Sequence, residues 1–211
     1  LYGNMDMEEK LAFLDEHYLS HFDYLDVDSV IQEQKAFGAC QDVTLEYPVA
    51  ENEGEEDNTY LSYNMVVGNA ADSQMAMAFE VLDYALLSAP GAPLKQALLD
   101  VKAGKDVYGS YDDGILQPYF TVIAKGSNPD RKEEFVSVIR QVLGDIVKNG
   151  IDRKAVEAGI NYFEFRYREA DFSSYPKGLM YSLDILGDWL YEKGNPFAQV
   201  QQLTVFENLK K

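Results

Sequence analysis

The apolar residues switch repeatedly between a period of two and a helical period along the chain, and that switching restricts the fold more than any other feature. Between residues 42 and 49, Val43, Leu45 and Tyr47 alternate with Asp42, Thr44 and Glu46. Leu61, Tyr63, Met65 and Val67 repeat the alternation after an acidic stretch. A period of two puts every second side chain on one face, so each run reads as a half-buried strand. Two such runs joined by a polar loop predict an antiparallel pair. After Asp72 the spacing lengthens: Met75, Phe79, Leu82 and Leu86 step by four, three and four, which is one face of a helix. Pro90-Gly91 ends that run, and a short amphipathic helix follows from Pro93 to Lys102, with Leu94, Ala97 and Leu98 inward and Gly104 as its stop. Two further strands are predicted near 106–112 and 115–124, and Pro118 inside the second points to an edge or a bulge.

The remainder is helical. Asn128 is placed to cap a helix with Pro129 at its first position, and Phe135, Val138, Ile139, Val142, Leu143 and Ile146 line one face. Gly150 supplies a left-handed stop. Asp152 opens a second helix with Val156, Ile160, Phe163 and Tyr167 inward; Pro176 opens a third with Leu179, Leu183, Leu186 and Leu190; residues 196–211 form one more helical segment. Near the N-terminus, Asp6 caps a helix of about 15 residues whose face is Leu11, Leu14 and Tyr18. The economical solution is an α+β fold, a mainly antiparallel sheet of about four strands with helices packed on one face.

Charge narrows the partners. The chain has 36 acidic against 18 basic residues, a formal charge of -18, and residues 1–60 alone hold sixteen acidic and two basic. A duplex-binding surface needs clustered Lys and Arg to release counterions, so nucleic acid is excluded as a partner. No apolar run approaches the roughly 18 residues of a membrane span, and no membrane partner is expected. The stretch Glu51, Glu53, Glu55, Glu56 and Asp57 around Gly54 lacks the D-x-[DN]-x-[DN]-G spacing of a calcium loop and reads as a solvated loop. A single cysteine, Cys40, rules out an internal disulfide framework and fits a reducing compartment, cytoplasmic or an organelle matrix. The chain begins at Leu1 rather than Met, which reads as a piece of a longer protein.

Candidate chemistry is sparse. His17 and His21 are four apart, and on one helix face they could chelate zinc. Tyr18 stands where H-E-x-x-H needs Glu, and Ser20 where H-x-x-E-H needs it. No third histidine exists, so surface histidines near a helix end are the better account. Cys40 has no histidine neighbour and reads as a small buried hydrophobe. Gly104-Lys105 lacks the lead-in of a phosphate loop, and Asp112-Asp113-Gly114 is a turn. Tyr84, Tyr108, Tyr111 and Tyr119 are candidates for one cleft wall, and Glu164 and Arg168 form an i,i+4 ion pair on a helix. No catalytic, cofactor-binding or metal-binding residue is assigned to this chain.

Residues 161–191, NYFEFRYREADFSSYPKGLMYSLDILGDWLY, change the picture. Glu164, Phe165, Arg168, Glu169, Phe172, the run Pro176-Lys177-Gly178-Leu179, and Trp189-Leu190-Tyr191 resemble a stretch of the presequence-protease branch of the pitrilysin/insulinase zinc peptidases. LLSAPGAPLKQALLD, residues 86–100, and LYGNMDMEEKLAFLDEHYLSHFD, residues 1–23, are similar to two further family segments in the same order. The resemblance implies four related domains in two halves closing around a chamber, with zinc held in the first by H-x-x-E-H and a later Glu. This chain looks like the second, non-catalytic domain, so zinc belongs to the parent enzyme and is bound outside this chain. Residues 1–25 would close the preceding catalytic domain, 26–195 would be the non-catalytic domain, and 196–211 would begin the linker between halves. The implied parent is a zinc metalloendopeptidase degrading unstructured peptides, and this fragment alone would be inactive; separately, the acidic charge count suggests that basic peptides would be drawn to it. Its partners would be the remaining domains of the same polypeptide and those peptides. Two rivals stand beside this reading: a structural or assembly subunit that has lost the metal site, and a stand-alone acidic ligand-binding domain. An H-x-x-E-H motif upstream of Leu1 would separate the first reading from both.

Overall fold

The computed structural model describes residues 4–52, 54–170, 172–191, 195–198 and 200–211. The strand end expected at residues 1–3, Glu53 of the acidic loop and Asp171 of the family-like run lie outside them. The chain divides into two compact units, residues 33–169 with 202–211, and residues 1–32 with 170–201.

The larger unit carries the sheet. Strands β1 (Thr59–Val66), β2 (Asp106–Asp112) and β3 (Tyr119–Ser127) lie in the order β1-β3-β2, and both pairings are antiparallel. Leu61 pairs with Ala124 and Ala124 with Val107, so these apolar residues form one row across the sheet. Phe120, Val122, Val107 and Leu61 turn toward helices α2 (Ser73–Asp83), α3 (Pro93–Asp100) and α4 (Lys132–Asn149), which supply Ala76, Leu94, Leu98, Phe135 and Ile139 to one core. Leu94 and Leu98 are fully buried, each contributing about 1.5–3 kcal/mol by the usual transfer energetics. The helices therefore cover one sheet face, and the α+β architecture is as expected. Pro118 precedes β3 and uses its carbonyl, accepting from the Val67 N–H at 2.8 Å.

Two local readings are corrected. Among the described residues the sheet has three strands, because residues 42–49 form no ladder. Val43 and Leu45 are 73% and 85% exposed, so the segment buries no face that would offset the entropy of ordering it. Asn128 does not cap α4: its side-chain amide clamps Asp57, donating to the carboxylate at 2.7 Å and accepting from the Asp57 N–H at 2.9 Å. Asp6, Asp72 and Asp152 do accept backbone N–H bonds at helix starts.

A second core lies behind α2. Met77 and Val81 of α2, Ile160 of α5 (Arg153–Glu169) and Phe206 of α7 (Leu203–Leu209) are buried together. The sheet-side residues Ala76, Leu86 and Leu87 belong to the first core, so this helical run packs on two sides. It ends in a π-helical turn, Tyr84–Ser88. That turn presses on Gly109 of β2, where an added Cβ would meet the Leu87 side chain, sit 2.6 Å from Asp83 Oδ1 and 2.9 Å from the Thr121 carbonyl oxygen. Gly109→Ala is expected to cost about 1–3 kcal/mol by overpacking, read as a lowered urea midpoint; an unchanged midpoint would show that the turn has room to move away.

The smaller unit contains α1 (Met7–His17), a 3₁₀ turn at Leu19–His21, and α6 (Lys177–Leu190), which Pro176 caps. Leu179, Leu183, Leu186, Trp189 and Leu190 of α6 remain exposed. Among the described residues, no helix is long and apolar enough to cross a membrane.

Candidate functional site

The sheet has a face away from the helices of its core. Alternation sets its residues: Tyr60, Ser62 and Asn64 on β1, Thr121, Ile123 and Lys125 on β3, and Tyr108 and Ser110 on β2. Its centre is polar and connected. The Thr121 hydroxyl donates to Asn64 Oδ1 at 2.6 Å, and Asn64 Nδ2 donates to Ser62 Oγ at 3.0 Å. Thr121 is buried by its neighbours despite facing away from the core. At one end the Lys125 ammonium lies 5.8 Å from the Tyr60 ring centroid. At the other, the Tyr119 hydroxyl donates to Asp112 at 3.1 Å, and the bond and the nearby carboxylate hold that phenol above its ordinary range. Hydroxyls, amides and aromatic edges of this kind suit contact with a polypeptide surface.

A second feature flanks the sheet. Glu80 and Asp83 of α2 and Asp113, in the turn after β2, carry carboxyls raised above the usual carboxylate range, each chiefly by burial. Glu80 is pushed up to about 7, with Asp113 and Asp83 adding repulsion and Arg166 of α5 opposing it. The Tyr111 phenol, buried and near Asp113, Glu80 and Asp72, is pushed up to about 12. No motif announces this group, because Glu80 sits within a helix whose spacing reads as a single apolar stripe.

The residues singled out from the sequence separate. His17 ends α1 with its ring 4.5 Å from that of Phe13, whereas His21 lies in the following 3₁₀ turn. They share no helix face, since Tyr18 breaks the helix with φ -133°. Cys40 is exposed, not buried, because residues 39–46 belong to no regular element. The four tyrosines do not line one cleft: Tyr84 stacks on Tyr162, Tyr111 on Phe79, Tyr119 bonds Asp112, and Tyr108 is exposed. Gly104 permits a close backbone approach, where an added Cβ would lie 2.7 Å from the Lys125 carbonyl oxygen. Glu164 and Arg168 form the expected pair, with two bonds of 2.7 and 2.9 Å, and Lys210, the residue after α7, joins them. Lys210 first and Arg168 second hold the Glu164 carboxyl below its usual range.

Zinc does not fit these donors. Among the described residues no group of three or more His, Cys, Asp or Glu side chains is placed to hold a metal ion, and the two imidazoles lack a common face.

Residues 1–163 match the family described as the Peptidase M16 inactive domain. Protein HypA of Clostridium perfringens is 42% identical over 210 residues, covering all of this chain and 22% of that protein. Presequence protease 1, chloroplastic/mitochondrial, of Arabidopsis thaliana is 29% identical over 213 residues, covering 99% of this chain and 20% of its own length. The chain thus spans about a fifth of the curated relatives it matches. Among solved structures, the inactive peptidase domain of a zinc-protease candidate from Bordetella parapertussis aligns with a TM-score of 0.52 at 12% identity, covering 71% of this chain and 81% of that one; this likeness supports the fold. With the family matched over most of its length, the chain belongs to the inactive-domain family of the M16 peptidases.

Proposed function

We propose that this domain is the non-catalytic companion of a zinc-dependent endopeptidase domain in one longer polypeptide, forming part of the wall of a chamber in which unstructured peptides are cleaved. The observation that carries the reading is the match of almost the whole chain to one fifth of a presequence protease. The helix-free sheet face, with its bonded Thr121, Asn64 and Ser62, supplies a surface suited to such a wall. The exposed apolar face of α6 supports attachment to further parts of the same protein. Zinc is assigned to the parent, outside this chain. In this reading residues 1–25 close the catalytic domain, 26–195 form the companion domain and 196–211 open the linker, which α7 would anchor. A reducing compartment, cytoplasmic or an organelle matrix, is the proposed location.

The formal charge of -18 supports a preference for basic peptides: a net-acidic domain attracts them over distances that salt shortens. The full-length parent is expected to bind zinc and cleave unfolded peptides, and the 211-residue chain to do neither. Between low and physiological salt, cleavage of a basic peptide should slow several-fold more than that of an acidic one. A parent without zinc-dependent cleavage overturns the peptidase reading; equal salt responses overturn only the electrostatic preference.

A further inference from the structure

We propose that Asn149 is a site of self-modification, at which the side-chain amide is displaced by the Gly150 backbone nitrogen, and that fraying of the last turn of α4 sets the rate.

Asn149-Gly150 is the one Asn-Gly pair in the chain. Closing a five-membered imide requires the backbone nitrogen of the following residue to reach the asparagine side-chain carbonyl carbon. A following glycine lacks the Cβ that obstructs this approach. Both residues are exposed, and nothing stands within 4 Å of where a Gly150 Cβ would lie. Asn149 is the last residue of α4 and Gly150 is its cap, at φ 87°. Ile146 and Ile151 pack against the first core, whereas Val147 between them is 87% exposed. The stretch able to fray is therefore 147–150.

The fold restrains the reaction at one point. The Gly150 N–H donates to the Ile146 carbonyl at 2.8 Å, which closes the final turn. The nitrogen must give up that acceptor before it attacks, and Asn149 must leave the helical backbone conformation that holds the two atoms apart. Helix ends open at small cost, so the closed turn delays the chemistry without forbidding it.

The step balances with water alone. Hydroxide takes the Gly150 amide proton, the nitrogen bonds to Asn149 Cγ, and the Cγ–Nδ2 bond breaks. The departing nitrogen takes a proton from water and leaves as ammonia, which restores the hydroxide. Water then opens the imide at either carbonyl and leaves an aspartyl or an isoaspartyl residue at position 149. Nothing is oxidised or reduced. Either product puts a carboxylate at the negative end of the α4 dipole. The isoaspartyl form also lengthens the backbone by a methylene, so the Gly150 N–H no longer meets the Ile146 carbonyl. Conversion thus removes the last turn of α4 permanently, whatever the larger protein does.

Peptide mapping of the full 211-residue chain, aged at pH 8 and compared with fresh material, tests this. Trypsin cuts after Lys148 and Arg153 and frees residues 149–153. In aged material that peptide should appear in three chromatographic forms: the original, and two of equal and slightly greater mass, with the isoaspartyl form in excess. Asn149→Gln should give none of the new forms. Conversion should be several-fold slower in the folded chain than in a free peptide of residues 145–153, and the two rates should meet in strong urea. The exposed substitution Val147→Gly should speed conversion in the folded chain about two-fold, because its weaker helix propensity opens the last turn more often. Amides at 147–150 should exchange faster in converted than in fresh material. A folded chain that stays unconverted while the free peptide converts overturns the site. Equal rates in chain and peptide, or no acceleration by Val147→Gly, overturn control by the helix end.

Discussion

Phe206→Ala is expected to destabilise the larger unit by about 3–5 kcal/mol, the usual cost of emptying a buried aromatic site. Phe206 is 1% exposed and packs with Met77, Val81 and Ile160, its ring 5.8 Å from that of Tyr167. Helix α7 has seven residues, far below the length at which a helix holds itself in water. Its position therefore depends on tertiary contacts: the Phe206 ring, the Gln202 N–H donating to the Tyr167 hydroxyl at 3.3 Å, and Lys210 on Glu164. Removing the ring leaves a cavity between α2 and α5 and withdraws the main anchor. The urea midpoint should fall, and amides at 203–209 should exchange faster than those of β3. Lys210→Ala is the control. It deletes one partially exposed ion pair, of a kind worth about 0.2–1 kcal/mol, while Arg168 still holds Glu164. Because the Glu164 carboxyl is held below its ordinary range, its contribution is present at neutral pH and lost as acid protonates it. If Phe206→Ala costs less than Lys210→Ala, the second core is not what fixes α7.

The elements that read correctly are those where local spacing and tertiary burial agree. Residues 61–67 and 106–112 alternate, and the structure pairs both with a central strand, burying Leu61 and Val107 against the helices. Asp6 and Asp72 sit at true helix starts because a cap needs only its own next turn. Residues 42–49 alternate equally well yet remain unpaired, since spacing reports which side chains share a face and not whether a neighbour covers it. The same limit hid the surroundings of α2. Its steps of four and three marked one apolar face, whereas Ala76 serves the sheet-side core and Met77 and Val81 the second one. With two sides covered, a carboxylate on that helix is driven into a partly desolvated environment that no motif announces. His17 and His21 failed for a different reason. Helical spacing predicts a shared face only while the helix continues, and Tyr18 ends it between them. The family resemblance rested on short runs such as Pro176-Lys177-Gly178-Leu179, whose order along the chain survives even where individual elements are misjudged.

Glu80→Gln is expected to raise stability at pH 8 by on the order of 3 kcal/mol, and to do little at pH 4. The Glu80 carboxyl is raised from 4.5 to about 7, first by burial, then by Asp113 and Asp83, with Arg166 partly opposing. A raised acid binds its proton more tightly in the folded chain than in the unfolded one. Below about pH 4.5 both states hold the proton and the site costs nothing. Between 4.5 and 7 the unfolded chain releases it first, so stability falls as pH rises. Above 7 the full penalty remains, and a shift of this size corresponds to roughly 3 kcal/mol at 1.36 kcal/mol per unit. Asp113 and Asp83 are raised too, so some of the slope should persist in the variant. Asp57, Asp106 and Glu164 lie below their ordinary ranges and act in the opposite sense, at the acid end. The two groups occupy different pH windows and can be separated in one experiment. Thermal unfolding of the unsubstituted chain should show a higher midpoint near pH 5 than at pH 8, by several degrees at the usual 2–4 °C per kcal/mol. In Glu80→Gln that difference should shrink by more than half while the acid limb is unchanged. An identical pH profile in both chains would mean that Glu80 is hydrated in the folded chain and carries no burial penalty.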